Sequence, residues 1–176
     1  MKGLIFVPNF LSDQEQADLI KDIEAGIWVK NRTGSRPVQI FGPYHDKNYR
    51  IIRGKFSPHP TWYPKIAAKL ATMNIVNRHK LADPQKAEIY VNKYTEKHGL
   101  RPHFDHRATY DEAIYGLSLG ADCTMTFICG KDHQRISVPK GSLYIMTGES
   151  RHKYKHSITP GDVNGTRISV TVRTVA

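Results

Sequence analysis

The second half of the chain alternates apolar and polar residues with a period of two. Because successive side chains of a strand point to opposite faces, this alternation is typical of half-buried β-strands. The pattern begins after the dipeptide Asp83–Pro84, and glycine-containing turns separate its segments. The segments that we predict as strands read EIYVNKY, AIYGLSLG, CTMTFIC, RISVPKGSLYIMT and RISVTVRTV.

The beginning of the chain has helical periodicity instead. After a short predicted strand, LIFVPNF, the segment SDQEQADLIKDIEAG predicts a helix, in which Ser12 and Glu15 have the spacing of a capping box. A second helix is predicted over TWYPKIAAKLATMNIV, whose apolar stripe consists of Trp62, Ile66, Leu70 and Met73. Short strands after a helical start favour an α+β, mainly β fold. We expect one domain, 1–176, whose core, 87–176, is a double-stranded β-helix (jelly roll) with the two N-terminal helices packed outside.

The composition narrows the class of protein further. The 176 residues suit a single domain with a substantial core. No apolar run approaches the ~20 residues that span a bilayer, so we expect no membrane partner. Cys123 and Cys129 lie in one predicted strand, about 20 Å apart, whereas a disulfide needs about 5.5 Å. Reduced thiols and a start without a signal-peptide pattern indicate a cytoplasmic protein, with the nucleus as an alternative.

The positive charge is concentrated in one part of the chain. The formal net charge is +10, and from Lys30 to Lys55 there are seven Lys or Arg against the single Asp46. Aromatic residues, among them Phe41 and Tyr44, are interleaved with these charges. A basic, aromatic segment suits a polyanion whose bases can stack, although a solvated surface has the same composition. We therefore predict that 31–60 forms a basic substrate-recognition lid over nucleic acid.

Candidate metal ligands lie just past the middle of the chain. His103 and Asp105 are spaced i, i+2, which puts them on one face of a strand. A non-haem iron site needs a further histidine, because it combines two imidazoles with one carboxylate. His133 lies in a polar turn segment and is discounted. His152 and His156 are expected on the same face of one strand, and spacing alone does not choose between them.

Two predicted strands carry one polar face each. In RISVTVR, apolar and polar residues alternate, so one face of the strand is apolar and the opposite face is polar. The polar face consists of Arg167, Ser169, Thr171 and Arg173. In EIYVNKY, the corresponding face carries Tyr90, Asn92 and Tyr94. Such faces commonly lie in water. Inside a jelly roll they would line the lumen, where arginines require anions such as a small dicarboxylate.

In order along the chain, N-x-Y, H-x-D, a distant His and R-x5-R resemble the AlkB family of Fe(II)- and 2-oxoglutarate-dependent dioxygenases. YGLSLG after the H-x-D and MTGESRHKYKHSI around the second histidine are also similar to this family, and the second segment selects His156. The resemblance covers about Ala87 to Arg173 and extends more loosely to RPVQIFGPYHD in the lid. GESR and LSLG look most like the branch that hydroxylates a modified wobble uridine in tRNA.

The resemblance implies a role for each matching residue. His103, Asp105 and His156 would bind Fe(II). Arg167, assisted by Tyr94, would pair with the distal carboxylate of 2-oxoglutarate, and Arg173 and Asn92 would hold its end near the metal. O2 would bind at the remaining iron position. For the substrate, we expect contacts from Arg36, Phe41, Tyr44 and Arg107.

The predicted activity is oxidation of modified nucleic-acid bases, above all oxidative demethylation of N-alkylated DNA or RNA in a single strand or as a flipped base. The alternatives are hydroxylation of a tRNA wobble uridine or a protein side chain, a non-catalytic jelly-roll module that binds RNA, and a cupin-like zinc protein. Arg107 would place a positive charge awkwardly for a cationic methylated base. Arg151, Lys153 and Lys155 are expected to be ordinary outer-face charges. We expect a monomer.

Overall fold

The structure, a computed structural model, describes residues 1–31, 33 and 35–175. Its α-helices are α1 (Asp13–Glu24), α2 (Tyr63–Ala71) and α3 (Gly148–His152), and Arg78–Lys80 forms a 3-10 turn. The strands are β1 (Leu4–Val7), β2 (Val29–Lys30), β3 (Pro37–His45), β4 (Ile51–Ser57), β5 (Ala87–Tyr94), β6 (Leu100–His103), β7 (Tyr110–Leu119), β8 (Cys123–Cys129), β9 (Asp132–Val138), β10 (Leu143–Met146), β11 (Lys155–Ile158) and β12 (Arg167–Val175).

The strands form two antiparallel sheets. The larger sheet has the order β1-β10-β7-β12-β5-β3-β2, with β4 paired to β3, and the smaller sheet has the order β6-β11-β8-β9. Apolar side chains of the two sheets meet in one cluster, to which β7 contributes Ile114 and β8 contributes Phe127. The predicted jelly roll with helices outside is therefore confirmed.

The helices cover the outer face of the larger sheet. Leu19 and Ile23 of α1 and Leu70 of α2 join one buried cluster with the apolar face of the sheet, including Val170. The alternation along β12 divides its side chains cleanly, because Ile168, Val170 and Val172 enter this cluster while the odd-numbered residues face the other sheet. Each sheet face therefore belongs to a different layer of the molecule.

The ends of α1 and α2 follow local rules. The Ser12 hydroxyl accepts from the Glu15 amide at 3.2 Å, and the Glu15 carboxylate accepts from the Ser12 amide at 2.8 Å, which confirms the capping box. The second helix is shorter than predicted and ends at Ala71. Asn74 and Asn77 adopt positive φ angles of 55° and 67°, a conformation that cannot continue a right-handed helix.

One predicted strand is divided in two. The segment RISVPKGSLYIMT contributes to both β9 and β10, which are separated by a turn at 139–142. Gly141 has a φ of +78°, and the Ser142 amide donates to the Pro139 carbonyl at 3.3 Å. Proline and a left-handed glycine interrupt the ladder here, so the apolar run before and after the turn belongs to different sheets.

The basic region forms a β-hairpin. β3 continues the larger sheet beside β5, and β4 pairs with β3 alone among the described strands. Residues 52–56 of β4 are exposed on both faces of the hairpin. The hairpin therefore projects from the edge of the sheet, next to the space between the two sheets.

Gly116 is required by the packing of an aromatic ring. It pairs directly with Tyr144 across β7 and β10, and a Cβ added to it would lie 2.1 Å from Cζ of Tyr144. The Tyr144 ring is buried and lines the cavity described below. A side chain at position 116 would push this ring out of its place.

Gly116→Ala should therefore lower the free energy of unfolding by about 1–3 kcal/mol, the usual cost of overpacking. Urea denaturation of the wild type and the variant measures this loss. In a Tyr144→Ala background the obstructing ring is absent, so the same glycine substitution should cost much less. An equal loss in both backgrounds would contradict this account.

Candidate metal centre and adjoining cavity

Two strands of the smaller sheet bring the predicted ligands together. His103 ends β6 and pairs directly with His156 of β11, so their ring centroids lie 4.3 Å apart. Asp105 follows two residues after His103, and its Oδ2 lies 3.6 Å from Nε2 of His156. One ligand atom from each of the three residues lies within 4.8 Å of the others, a spacing that could hold one metal ion.

The protonation states of this cluster suit a metal ion. Burial opposes ionisation of Asp105, but the charges of Arg173, His156 and His103 outweigh it and lower its pKa to about 2. Burial lowers the pKa of His156 to about 4. At neutral pH the site therefore offers an ionised carboxylate and a neutral imidazole, the forms that bind metal.

The orientation of the other imidazole is also fixed. Nδ1 of His103 lies 2.9 Å from the carbonyl oxygen of Arg101. Because a carbonyl only accepts, Nδ1 must carry the proton, which leaves the Nε2 lone pair free for a metal.

His152 is excluded from this centre. It ends α3 instead of sharing a strand with His156, so the expectation that the two lie on one strand face is wrong. Its Nε2 lies 2.7 Å from Oε2 of Glu112. His133 is exposed near the β8–β9 turn.

A cavity of about 370 Å³ opens beside the triad, between the two sheets. The polar faces of β5 and β12 both line it, and they do not lie on an outer surface. The lining residues from these two faces are Tyr90, Asn92, Tyr94, Arg167, Ser169, Thr171 and Arg173.

Arg167 presents an unsatisfied cation to this cavity. It is only 1% exposed, and its Nε donates to the Ser118 hydroxyl at 2.8 Å. Its buried Nη2 has no hydrogen-bond partner among the described residues. Its guanidinium also lies 5.4 Å from the Tyr94 ring centroid. A buried guanidinium nitrogen without a partner is costly, so the site fits an anion such as a carboxylate.

Arg173 has a different environment. Its Nη1 donates to Oδ1 of Asp105 at 2.5 Å, and its Nη2 donates to Glu88. Both terminal nitrogens are therefore engaged by protein carboxylates. The resemblance implied a contact with the cosubstrate for Arg173, whereas in the structure it holds a candidate metal ligand.

Arg36 contacts Asn92 and Tyr94 inside the cavity, although we expected it on the substrate surface of the lid. Its Nε donates to Oδ1 of Asn92 at 2.9 Å and its Nη1 to the Gly99 carbonyl at 3.3 Å. Its guanidinium lies 5.0 Å from the centroid of the Tyr94 ring. The structure thus places Arg36 with residues expected to contact 2-oxoglutarate.

The two aromatic residues proposed for base stacking do not line the cavity. Phe41 points to the helix side of the sheet, where its ring meets Trp62 edge to face at 6.4 Å. Tyr44 is 49% exposed but lies outside the cavity lining. Ile40 occupies the cavity-facing position of this part of β3, which is why its neighbour Phe41 points away.

The hairpin turn supplies a different aromatic residue. Tyr49 lines the cavity, is 38% exposed and stacks between the rings of His45 and His106, each at 5.1 Å. The Asp46 carboxylate fixes this turn by accepting the Arg50 amide at 3.0 Å. Tyr49 has a φ of +60°, an uncommon conformation for a tyrosine. Because Tyr49 lies in a turn, the alternation of apolar and polar residues along strands could not have identified it.

Two further basic residues lie near the triad, and one of them, Arg151, differs from expectation. Arg107 is exposed outside the cavity lining, donates to the His152 carbonyl at 2.5 Å and lies 3.8 Å over the Phe104 ring. Arg151 is buried and not on an outer face, and its Nη1 donates to the Asp105 carbonyl at 2.8 Å. It thereby holds the backbone of the metal-ligand segment. Lys153 and Lys155 are exposed, as predicted.

A family model agrees with this geometry over nearly the whole chain. The 2OG-Fe(II) oxygenase superfamily model matches residues 3–173. The chain belongs to this superfamily. It is therefore a 2-oxoglutarate-dependent dioxygenase, and the cofactors of the superfamily are Fe(II), 2-oxoglutarate and O2.

Relatives place the chain in the AlkB family. It is 31% identical to uncharacterized protein L905 of Acanthamoeba polyphaga mimivirus, over 99% of this chain and 86% of the relative. It is 27% identical to the mouse tRNA (carboxymethyluridine(34)-5-O)-methyltransferase ALKBH8, over 90% of this chain but 24% of the relative. It is 25% identical to a DNA N6-methyl adenine demethylase of Caenorhabditis elegans, over 99% of this chain and 60% of the relative.

The solved structure of OsALKBH1 shares the fold. It superposes with a TM-score of 0.69 at 16% identity, covering 98% of both chains. In the part of the chain that the structure describes, none of the helices has the length and apolar character needed to cross a bilayer.

In the metal-free protein, the free energy of unfolding should fall as the pH is lowered from about 6.5 towards 4. His156 remains neutral in the folded state until about pH 4, whereas in the unfolded chain its pKa returns to about 6.5. The unfolded state therefore binds the proton first and is favoured, by roughly 3 kcal/mol at the acid end.

Urea denaturation of the wild type and His156→Asn at about pH 7 and about pH 5 measures this contribution. Other titrating groups are common to both proteins, so the difference in pH dependence reports on His156. The variant should lose less stability than the wild type on acidification. Parallel losses would show that His156 titrates normally in the folded state.

Proposed function

We propose that this dioxygenase oxidises modified bases of nucleic acid, and that its principal reaction is oxidative demethylation of N-alkylated DNA or RNA. The observation that carries the proposal is the His103–Asp105–His156 triad beside a cavity that holds a guanidinium with one unpaired nitrogen, Nη2 of Arg167, among the described residues, next to a basic hairpin. In this proposal His103, Asp105 and His156 hold Fe(II). With 2-oxoglutarate and O2, this group supplies the oxidant that removes hydrogen from a substrate C–H bond, leaving succinate and carbon dioxide.

The protein residues bind and orient the cosubstrate. Arg167 receives the distal carboxylate, because its buried Nη2 has no partner in the part of the chain that the structure describes and a guanidinium binds a carboxylate strongly. Asn92, Tyr94 and Arg36 line the same part of the cavity. Aromatic and apolar walls exclude water from this region, which strengthens each of these contacts.

The substrate surface is the hairpin and the cavity mouth. Arg50, Arg53 and Lys55 are exposed on or beside β4, where they can contact phosphates. A base inside a duplex cannot reach a cavity between two sheets, so the substrate is single-stranded or presents a flipped base. Tyr49 lines the cavity and replaces Phe41 and Tyr44 as the proposed aromatic contact to the base. Because His45 and His106 cover the faces of its ring, it would meet the base with its exposed edge.

The relatives support a nucleic-acid substrate. One of them is named as a demethylase of DNA N6-methyl adenine, and another as a methyltransferase of carboxymethyluridine in tRNA. The chain spans only parts of these two proteins, so the substrate of this chain is argued from its own surface.

A second candidate is hydroxylation of a modified wobble uridine of tRNA, without demethylation. Arg107 favours it, because its exposed positive charge lies two residues after Asp105. A cation at this position repels a cationic methylated base and attracts an anionic one such as a carboxymethylated uridine.

Anaerobic addition of Fe(II) and 2-oxoglutarate should produce the weak visible charge-transfer band of the chelate, and air should then yield succinate. His103→Ala should abolish both, because two ligands hold the metal far more weakly than three. Incubation with methylated DNA and RNA oligonucleotides and tRNA, followed by nucleoside mass spectrometry, identifies the substrate. Formaldehyde release supports demethylation, and a hydroxylated uridine without formaldehyde supports the second candidate. Absence of the band and of succinate in the wild type would overturn both.

Tyr49→Ala should weaken binding of a methylated single-stranded oligonucleotide about fivefold, because it removes the ring edge at the cavity together with the centre of the His45–Tyr49–His106 stack, and fivefold corresponds to about 1 kcal/mol. Fluorescence anisotropy at constant salt measures the affinity. Tyr44→Ala is the matched control: it removes an exposed tyrosine of the same hairpin that does not line the cavity. Equal losses of affinity in the two variants would contradict a specific role of Tyr49 in substrate binding.

A further inference from the structure

Glu88 is a buried carboxylate that the proposed reaction does not use. It lies on β5, on the cavity side of the strand, and pairs across the sheet with Arg173 of β12. Its side chain is 1% exposed and is not part of the cavity lining. Burial alone would raise the pKa of Glu88, but Arg173, His45 and Tyr110 lower it, so the carboxylate is ionised.

Three donors from three strands meet at this carboxylate. Nη2 of Arg173 donates to Oε1, and the Tyr110 hydroxyl donates to Oε2 at 2.9 Å. Nε2 of His45 lies 3.3 Å from Oε2. An ionised carboxylate without water is stable only with such a set of partners.

Arg173 is shared between two carboxylates. One terminal nitrogen binds Glu88 and the other binds Asp105, the candidate metal ligand. The Arg173 guanidinium also packs against two tyrosine rings, at 4.5 Å from the Tyr110 centroid and 5.4 Å from that of Tyr90, and these contacts help to hold it in place. If Glu88 lost its charge, Arg173 would interact with Asp105 alone and compete with a metal ion for that carboxylate.

His45 connects the same carboxylate to the hairpin. It ends β3, and its ring stacks on Tyr49 at 5.1 Å. Tyr49 in turn stacks on His106, next to Asp105 in the chain. The tip of the hairpin is therefore attached to the metal-ligand segment by stacked rings and by Glu88.

We propose that Glu88 is a positioning residue, which through Arg173 keeps Asp105 available to the metal and through His45 fastens the substrate hairpin to the metal centre. This inference rests on the proposed function, because it takes His103, Asp105 and His156 as the ligands. Glu88 contacts neither the metal nor the substrate, so its effects are transmitted by these two side chains.

The first test is metal affinity without turnover. Mn(II) is the probe, because it does not react with O2 in this site, and its binding is titrated by electron paramagnetic resonance. Glu88→Gln preserves the shape of the side chain and removes its charge. It should weaken Mn(II) binding roughly tenfold, a typical loss for a group that orients a metal ligand. The matched control is Glu112→Gln, which alters a Glu–His pair of 2.7 Å that is outside this network and whose glutamate side chain is 44% exposed.

The second test is the mobility of the hairpin. His45→Leu removes the donor to Glu88 and leaves the Arg173–Asp105 pair in place, so Mn(II) affinity should stay within about twofold of the wild type. Amide hydrogen exchange over residues 43–51 should become faster, because the turn loses its contact with Glu88. The side chain of His45 is 26% exposed, so this variant tests the hairpin even if Glu88→Gln does not fold.

Unchanged Mn(II) affinity in folded Glu88→Gln overturns the role of Glu88 at the metal centre. Unchanged hydrogen exchange in His45→Leu overturns the role of Glu88 at the hairpin. Failure of the proposed function gives a different result: the wild type binds no Mn(II), or His103→Ala binds it as well as the wild type does. A substrate other than nucleic acid would leave the Mn(II) and exchange results as expected.

Discussion

Two guanidinium groups buried between two β-sheets impose the constraint on which the site depends. Arg167 and Arg173 project from β12 into the space between the sheets, because they share the face opposite Ile168 and Val170. A buried cation requires anions. Both terminal nitrogens of Arg173 bind Glu88 and Asp105, and only its Nε is without a partner among the described residues. In Arg167 a terminal nitrogen, Nη2, has no partner among them. Of the two arginines of β12, Arg173 is thus paired with protein carboxylates, whereas Arg167 is available to an anion in the cavity.

Asp105, the candidate metal ligand that follows β6, is held through both its side chain and its backbone. Arg173 binds the carboxylate of Asp105, and Arg151 binds the carbonyl of the same residue from α3. Because the segment after β6 is not part of a sheet, these contacts replace the ladder hydrogen bonds that would fix a strand. The triad is consequently preorganised, since neither His156 nor Asp105 needs to move far to approach a common metal ion.

The polar faces of the regular strands were predictable from the sequence, whereas the residues of the hairpin that face the cavity were not. Alternation placed the polar faces of β5 and β12 correctly, and one further step along β5 reaches Glu88, which the same rule could have identified. In β3 the rule fails, because the register shifts between Pro43 and His45 and Gly42 has a φ of +98°. This bulge changes which residues face inward: Ile40 lines the cavity before it and His45 after it, five residues later. Arg36 was assigned by its charge alone, and charge does not report which neighbours the fold provides.

The metal centre is enclosed and the hairpin is exposed, and this difference bears on which substrate is bound. The triad and Arg167 are enclosed by two sheets, whereas β4 is exposed on both faces and pairs with one strand among those described. Exposed, singly paired backbone opens more easily than a sheet interior. Glu88 joins these parts, because it contacts both the arginine at Asp105 and the histidine at the end of β3. A hairpin can therefore change its surface residues, and with them its substrate, provided that His45 and its contact with Glu88 keep the tip over the metal centre.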